Sequence, residues 1–195
     1  MGHYNARGEF SLFDAQGQRK YLAASEANRF LAAALRADRL SRLFAQLLYH
    51  SGCRISEGLA VPPRLLDDED QRVVFRTLKR RKRVYRAVPI PPRLMRDLTA
   101  LARDLAPDDR LFPWSRATGW RRIHAIMEAA HISGPQATPR GLRHSFGVHA
   151  LGSKVPEGSL QRWFGHADQR NTHIYTAAVD DEELALARRM WRPNA

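Results

Sequence analysis

The sequence predicts an α+β fold that is mainly helical, with one small antiparallel β-sheet or hairpin packed against a helical core. Most of the chain spaces its apolar side chains three and four positions apart, which is the period of an amphipathic helix. Residues 72–90 are instead rich in β-branched and aromatic side chains on both sides of a cationic run, which is typical of a β-hairpin. The length of 195 residues suits one compact domain, or one domain and a small arm.

The first part of the chain carries local signals for helix boundaries. Residues 1–20 are polar and contain several glycines, which predicts a flexible leader or one short edge strand. Ser25 is the predicted N-cap of a first helix, and Asp38 caps a second helix that stops at Gly52. A short helix over residues 54–61 is ended by a Pro-Pro pair.

The rest of the chain combines the hairpin with further helices. The hairpin has strands at 72–78 and 84–90, joined by a cationic tip at 79–83. Thr118 is the predicted N-cap of a helix that turns Trp120 inward. Four other helices are predicted. The first begins at Pro91-Pro92, and the second contains Arg140 and turns His149 towards the core. The third spans about 156–164, and the last spans about 181–191.

The composition indicates a nucleic-acid partner inside a reducing compartment. A formal net charge of +12 in a globular composition favours binding to a polyanion, although a basic surface without a partner is the alternative. The single cysteine, Cys53, excludes an internal disulfide. The sequence shows no zinc-ligand spacing, no glycine-rich phosphate loop, no membrane-length apolar run and no signal-peptide core. We therefore expect a cytoplasmic, nucleoid-associated protein without a metal or cofactor.

One helical stretch is the best candidate for phosphate chemistry. Wound as a helix, the first part of the stretch 138–175 places Arg140, Arg143, His144 and Gly147 on one side. Two guanidiniums one turn apart, with a glycine that permits close backbone approach, suit a bound phosphate. Arg140 could equally be a contact to the DNA backbone, and His144 fits packing or phosphate contact better than catalysis.

Arg54 begins a helix with Glu57 one turn later. The pair is either an ion pair on the surface or a phosphate-binding arginine whose helix or guanidinium is oriented by the acid.

The hairpin tip supplies the remaining cations. Lys79 ends the first strand and could donate a proton to a leaving oxygen, because the pKa of a lysine can be shifted. A basic tip is more often a solvated or backbone-binding surface, and Arg81 and Lys82 are alternatives for the acid. The predicted DNA-binding residues of the tip are Arg80, Arg81, Lys82 and Arg83.

Two further residues follow near the C-terminus. His166 could donate a hydrogen bond to a phosphate oxygen, or could be structural. Tyr175 is nine residues later and would more often be packing. As a nucleophile, its phenol would need nearby cations to lower its pKa.

These residues, in this order, resemble the catalytic domain of the tyrosine recombinases, or phage-type integrases. The resemblance covers about residues 20–190. Residues that match the family's motifs are expected to have the catalytic roles that the family gives to those positions. The motifs are Ser51 to Leu59 with Arg54 and Glu57, the hairpin lysine, Gly141 to Phe146 with Arg143, Leu160 to His166, and Ile174-Tyr175.

The resemblance implies a mechanism. Tyr175 would attack the scissile phosphate to form a 3′-phosphotyrosyl link, and Lys79 would protonate the leaving 5′ oxygen. Arg54 and Arg143 would neutralise the non-bridging oxygens, assisted by His166 and Arg140. The chemistry needs no ATP and no obligatory metal.

The resemblance also implies partners. These are double-stranded DNA, a homo-oligomer that is a monomer when free and a tetramer at the synapse, and an accessory DNA-bending protein. The helix at 181–191 would dock on a neighbouring protomer or pack on its own domain. A non-catalytic DNA-binding regulator and a type IB topoisomerase-like enzyme are the alternative functions.

Two departures from the family pattern concern the site. Arg140 stands where the family usually has a histidine, and an arginine can contact a phosphate but hardly transfers a proton. The hairpin is longer than the commonest family pattern, which leaves the position of its lysine open.

A third departure concerns domain organisation. With a leader at 1–20 and a catalytic domain at 21–195, no core-binding domain precedes the catalytic domain. The chain is then either a fragment or similar to short recombinases that lack that domain.

Overall fold

The computed structural model describes residues 11–77, 84–165, 172, 174 and 175. These residues form seven α-helices, one 3-10 turn and a three-stranded antiparallel sheet, which confirms the predicted mainly helical α+β fold. None of the helices in these ranges combines the length and apolar character that a membrane crossing needs. The elements are α1 (Ala24–Arg36), α2 (Arg39–Ser51), α3 (Ile55–Gly58), the 3-10 turn (Pro63–Leu65), β1 (Leu66–Asp67), β2 (Arg72–Thr77), β3 (Val84–Pro89), α4 (Pro92–Ala102), α5 (Arg116–Ala129), α6 (Pro139–Gly152) and α7 (Glu157–Phe164).

Helix α2 has the boundaries that its sequence signals predict. The Asp38 carboxylate accepts a hydrogen bond from the Ser41 N–H at 3.0 Å, which satisfies a free donor of the first turn. Gly52 ends the helix in the left-handed region with φ of 58°. The helices predicted from the Pro-Pro pair, around Arg140 and near 156–164 are also present, as α4, α6 and α7.

Two helix boundaries in the first part of the chain differ from the prediction. Ser25 is inside α1 rather than at its cap, because the chain enters the helix at Ala23 and the Ala23 N–H donates to Glu26 Oε2 at 2.8 Å. The helix predicted over 54–61 is shorter and spans only Ile55–Gly58.

The predictions for Thr118, Trp120 and His149 are wrong. Ser115 is the N-cap of α5, and its hydroxyl accepts a hydrogen bond from the Thr118 N–H at 3.1 Å. Trp120 is 41% exposed and contacts the His124 ring one turn later, so it does not point into the core. His149 is also exposed rather than facing the core.

The sheet is the predicted hairpin with one additional strand. Strands β2 and β3 pair antiparallel from Arg72–Pro89 to Thr77–Val84. The two-residue strand β1 pairs with the other edge of β2 and was not predicted. The predicted end of the first strand at residue 78, the hairpin tip at 79–83 and the predicted last helix at 181–191 lie outside the described residues.

Two groups of buried apolar side chains hold the fold together. The larger group joins α1, α2, the sheet, α4 and α5, and Phe146 of α6 packs against both groups. The smaller group includes Ala150 of α6 and contains the candidate nucleophile. Its buried members are Leu12, Tyr21, Ala150, Leu160, Phe164 and Tyr175.

Candidate active site

Arg143 lies at the centre of the site on α6. The helix starts at Thr138, whose hydroxyl accepts a hydrogen bond from the Gly141 N–H at 3.0 Å. The buried guanidinium of Arg143 donates to the Gly52 carbonyl at 2.6 Å and to the Phe164 carbonyl at 3.1 Å. It also stacks over the Phe164 ring, 4.2 Å from the ring centre. One side chain therefore ties the ends of α2 and α7 to α6.

The environment of Arg143 favours the approach of an anion. Burial, with a contribution from the positive charge of Arg54, lowers the pKa of Arg143 to about 10, so the guanidinium is still charged at neutral pH. A charged group in a poorly solvated pocket interacts more strongly with a phosphate than the same group does in water.

Arg54 and Glu57 are not a surface ion pair. Arg54 precedes α3, and both its N–H and its guanidinium donate to the Glu57 carboxylate at 2.9 Å. The Glu57 side chain is 1% exposed, whereas the Arg54 side chain is 31% exposed. The buried carboxylate of Glu57 therefore holds the Arg54 side chain in place, while part of the Arg54 guanidinium stays exposed to solvent.

Arg86 is a second partner of Glu57 that the sequence interpretation missed. It donates to Glu57 Oε2 at 2.6 Å from strand β3. Burial by itself raises the pKa of Glu57, but the hydrogen bonds and charges of Arg86 and Arg54 outweigh it and hold that pKa below its usual range. The alternation of β3 could have identified Arg86, since it shares the inward side of the strand with Val88.

Tyr175 is buried beside α6. It is 2% exposed and its ring lies 5.2 Å from the ring of Phe164. Burial raises the pKa of the phenol to about 12, although Arg143, Arg140 and Arg54 act to lower it. The nearby cations that nucleophilic attack would require are therefore present, but burial outweighs them in this arrangement.

His144 is the direct partner of Tyr175. Its Nδ1 atom lies 3.2 Å from the phenolic oxygen. Burial, followed by the charges of Arg140, Arg143 and Lys20, lowers the pKa of His144 to about 3, so the imidazole is neutral at physiological pH. The structure thus places His144 against the nucleophile candidate rather than on the protein surface.

Gly147 permits the close approach of Tyr175. A Cβ atom at this position would lie 2.6 Å from Cδ1 and Cε1 of the Tyr175 ring, so any side chain here would force the ring to move. The sequence predicted that this glycine lets a phosphate approach the backbone, and in the structure the group that lies against it is the Tyr175 ring.

The N-terminal segment covers this tyrosine. Leu12 and Tyr21 belong to the same buried group as Tyr175. The Leu22 N–H donates to the buried hydroxyl of Ser145 at 2.7 Å, which fastens the segment to α6. The sequence interpretation took residues 1–20 as a flexible leader or one short edge strand and had no signal for this contact.

The described site unites residues from distant parts of the chain. It brings together Arg54, Glu57, Arg143, His144 and Tyr175, with the exposed Arg140 at its edge. The remaining predicted site residues lie outside the described residues: Lys79, Arg80, Arg81, Lys82, Arg83 and His166.

The described part of the chain contains no group of three or more histidine, cysteine or carboxylate side chains placed to hold a metal ion. Cys53 is buried, and burial raises the pKa of its thiol to about 12.

Comparisons with solved structures define the class of fold. The chain superimposes on the catalytic domain of bacteriophage HP1 integrase with a TM-score of 0.66 and 20% identity, covering 86% of this chain and 93% of that one. It superimposes on the XerH site-specific recombinase bound to its palindromic difH substrate with a TM-score of 0.76 and 21% identity, covering 88% of this chain and 53% of that one. The fold is therefore that of the tyrosine recombinase catalytic domains.

The sequence comparisons identify the family. The profile described as the phage integrase family matches residues 20–182. The chain belongs to the phage integrase family, which confirms the resemblance found from the motifs. It is also 31% identical over 182 residues to the tyrosine recombinase XerD of Caulobacter vibrioides, covering 85% of this chain and 59% of that protein. The chain thus spans little more than half the length of this curated relative.

Proposed function

We propose that this chain is the catalytic part of a site-specific DNA recombinase that cleaves and rejoins strands through a 3′-phosphotyrosyl intermediate. The single observation that carries the proposal is the position of the Tyr175 hydroxyl. It lies against α6 within the field of three guanidiniums, those of Arg143, Arg140 and Arg54. A phenol beside clustered cations is suited to attack a phosphodiester whose negative charge those cations stabilise.

The cleavage step balances as a transesterification. A bond forms between the Tyr175 oxygen and phosphorus while the phenolic proton passes to water, and the bond from phosphorus to the 5′ oxygen breaks. Arg143 and Arg54 stabilise the non-bridging oxygens, while Lys79 supplies the proton that the leaving oxygen needs. Attack by the 5′-hydroxyl of a partner strand reverses the step, so the bond energy is conserved without a nucleotide cofactor.

We assign His144 to hold the phenol rather than to store its proton. With a pKa near 3, the imidazole is too weak a base to remain protonated at neutral pH. Its Nδ1 can instead fix the direction of the phenolic oxygen by one hydrogen bond. Arg140 and His166 are assigned as further phosphate contacts.

We propose double-stranded DNA as the substrate. The net charge of +12 supports this assignment, as does the DNA substrate bound by the structurally similar XerH recombinase. Exchange of strands between two sites requires four active subunits, so we propose a tetramer on DNA.

Recovery of covalently bound DNA tests this function. The full chain is incubated with genomic DNA, protein-linked fragments are precipitated in detergent, and the 3′ ends are sequenced. We expect ends that cluster at one sequence, and no fragments with Tyr175→Phe. Scattered ends together with relaxation of supercoiled plasmid would favour a topoisomerase-like enzyme. An absence of fragments with the unaltered protein would favour a DNA-binding regulator.

A further inference from the structure

We infer that Arg86 is a positioning residue of the active site, which orients Arg54 through Glu57 and holds the end of α7 in place. The inference rests on the proposed function for its catalytic consequence. Its structural basis is separate, because it depends only on the contacts of one buried guanidinium.

The guanidinium of Arg86 joins three elements of the fold. Its Nε donates to the Trp163 carbonyl at 2.6 Å, and one terminal nitrogen donates to Glu57 Oε2 at 2.6 Å. The other terminal nitrogen lies 3.3 Å from Glu57 Oε1 and 3.2 Å from the Thr77 hydroxyl. Strand β3 is thereby linked to α3, to the end of β2 and to the end of α7.

The contacts to Glu57 constrain Arg54. Each carboxylate oxygen of Glu57 accepts from both arginines: Oε2 from the Arg54 N–H, and Oε1 from the Arg54 guanidinium. The carboxylate cannot rotate without breaking its bonds to Arg86, so its plane is fixed. Arg54 is partly exposed and would otherwise sample several rotamers, which a phosphate-binding side chain must give up when substrate binds.

The contact at α7 acts on the C-terminal end of that helix. The last two carbonyls of α7 each accept from a different buried arginine, Trp163 from Arg86 and Phe164 from Arg143. These carbonyls form the negative end of the helix dipole, where a cation is stabilising. Gly165 follows in the left-handed region with φ of 63°, and a Cβ there would lie 3.0 Å from Cδ of Arg86. The turn out of α7 is thus shaped around the Arg86 side chain.

This role requires an arginine. A guanidinium offers donors in a planar fork, which matches the two carboxylate oxygens and leaves Nε for a carbonyl. A lysine has the same charge but is a single point donor on a flexible stem, so it cannot make all three contacts together. Arg86→Lys is therefore the informative variant, since it keeps the charge and removes the geometry.

The first test does not depend on activity. In the full chain labelled with ¹⁵N, the Nε–Hε group of Arg54 should give a rigid side-chain signal in relaxation measurements. Arg86→Lys should lose that rigidity, whereas Leu98→Ala should keep it. Leu98 is a buried core residue of α4 and is not one of the site residues, so this control lowers stability without removing a contact of Glu57. If Arg86→Lys does not fold, Thr77→Val removes one contact and should produce a smaller loss of rigidity. A rigid Arg54 in the variant, or equal loss in Leu98→Ala, would overturn the inference.

The second test measures the catalytic consequence. On the DNA sequence recovered with the unaltered protein, Arg86→Lys should lower the single-turnover cleavage rate at saturating DNA by about 100-fold, the cost of a displacement on the order of 1 Å. The dissociation constant for DNA should change only about threefold, and Leu98→Ala should cleave at the unaltered rate below its melting temperature. A rate that falls equally in both variants would assign Arg86 to stability alone. Failure of the unaltered protein to cleave would instead refute the proposed function, and the relaxation measurement would still decide the role of Arg86.

Discussion

The Nδ1 atom of His144 lies 3.2 Å from the phenolic oxygen of Tyr175, and both side chains are buried. The tyrosine is therefore docked on α6 of its own chain. Burial raises the pKa of Tyr175 to about 12 and lowers that of His144 to about 3, so both groups are neutral at physiological pH. The arrangement positions the nucleophile but leaves its activation to the arrival of the substrate or to a change in burial.

The first prediction concerns stability in acid. The pKa of His144 is depressed in the folded state, first by burial and then by Arg140, Arg143 and Lys20. Its contribution to stability is therefore complete above the ordinary value of 6.5 and is lost as the pH falls towards about 3, because only the unfolded chain takes up the proton in that window. The slope is on the order of 1 kcal/mol per pH unit.

His144→Asn isolates this effect. Asparagine keeps a hydrogen-bonding group for Tyr175 but does not titrate. Free energies of unfolding from urea titrations should fall less steeply between about pH 6.5 and about pH 4 for His144→Asn than for the unaltered protein. His131→Asn, at an exposed turn after α5, is the control that shows whether the change in slope belongs to His144. Identical slopes for His144→Asn and the unaltered protein would mean that His144 is accessible to protons in the folded state.

The second prediction concerns the glycine under the tyrosine. Gly147→Ala places a methyl group about where the Tyr175 ring lies, 2.6 Å from two ring carbons, and overpacking of this kind costs about 1–3 kcal/mol. The ring must move, so the yield of covalent adduct should fall by about 10-fold to about 100-fold while DNA binding is retained. The adduct is quantified on denaturing gels.

Gly152→Ala is the matched control on the same helix. Nothing lies within 4 Å of a Cβ at Gly152, and alanine favours the helix by up to about 1 kcal/mol. This variant should form adduct normally and melt at an equal or higher temperature. Normal adduct formation by Gly147→Ala would contradict the docked position of Tyr175 as the attacking one.

The elements that the sequence predicts well are those with local signals. Asp38 and Gly52 bound α2 because each satisfies backbone groups of its own helix. The start of α5 was misassigned because two hydroxyls compete there: Ser115 and Thr118 lie 3.0 Å apart and both can cap a helix. Strand β1 was missed because two residues carry no period, and only the pairing with β2 makes them a strand.

The site shows the same division between local and distant information. Arg54 and Arg143 were identified because the pattern of charges and the order of the motifs can be read directly from the sequence. The burial of Tyr175 depends on Leu12 and Tyr21, which lie far away in sequence, and no periodicity reports such a contact. Arg86 was not singled out in the predicted strand, although the alternation of β3 places it on the inward side.

The third prediction separates catalysis from binding at Arg143. Arg143→Lys keeps a positive charge but cannot serve the Gly52 and Phe164 carbonyls together, so one buried acceptor loses its partner at a cost of about 1–3 kcal/mol. The cleavage rate should fall by about 100-fold to about 1,000-fold, whereas DNA affinity should fall by much less, because the planar guanidinium, which lysine lacks, acts mainly on the transition state.

Arg140→Ala provides the contrast on the same helix. Arg140 is exposed, so a contact to the DNA backbone would lower affinity and cleavage to similar extents. Single-turnover rates and binding isotherms measured on one DNA substrate distinguish the two patterns. If Arg143→Lys lowered the cleavage rate and the DNA affinity to the same extent, Arg143 would be only a contact to the DNA backbone.

The fourth prediction identifies the general acid among the hairpin cations. A 5′-phosphorothiolate substrate carries sulfur in place of the leaving oxygen, and sulfur leaves without protonation. Lys79→Ala should therefore cleave ordinary DNA at a rate about 100-fold or more below that of the unaltered protein. It should cleave the sulfur-containing substrate almost as fast as the unaltered protein does. Arg81→Ala and Lys82→Ala should show the same modest change on both substrates, since a phosphate contact is indifferent to the leaving atom. Rescue of either of these variants, instead of Lys79→Ala, would move the acid to that residue, because only the group that donates the proton becomes dispensable when no proton is needed.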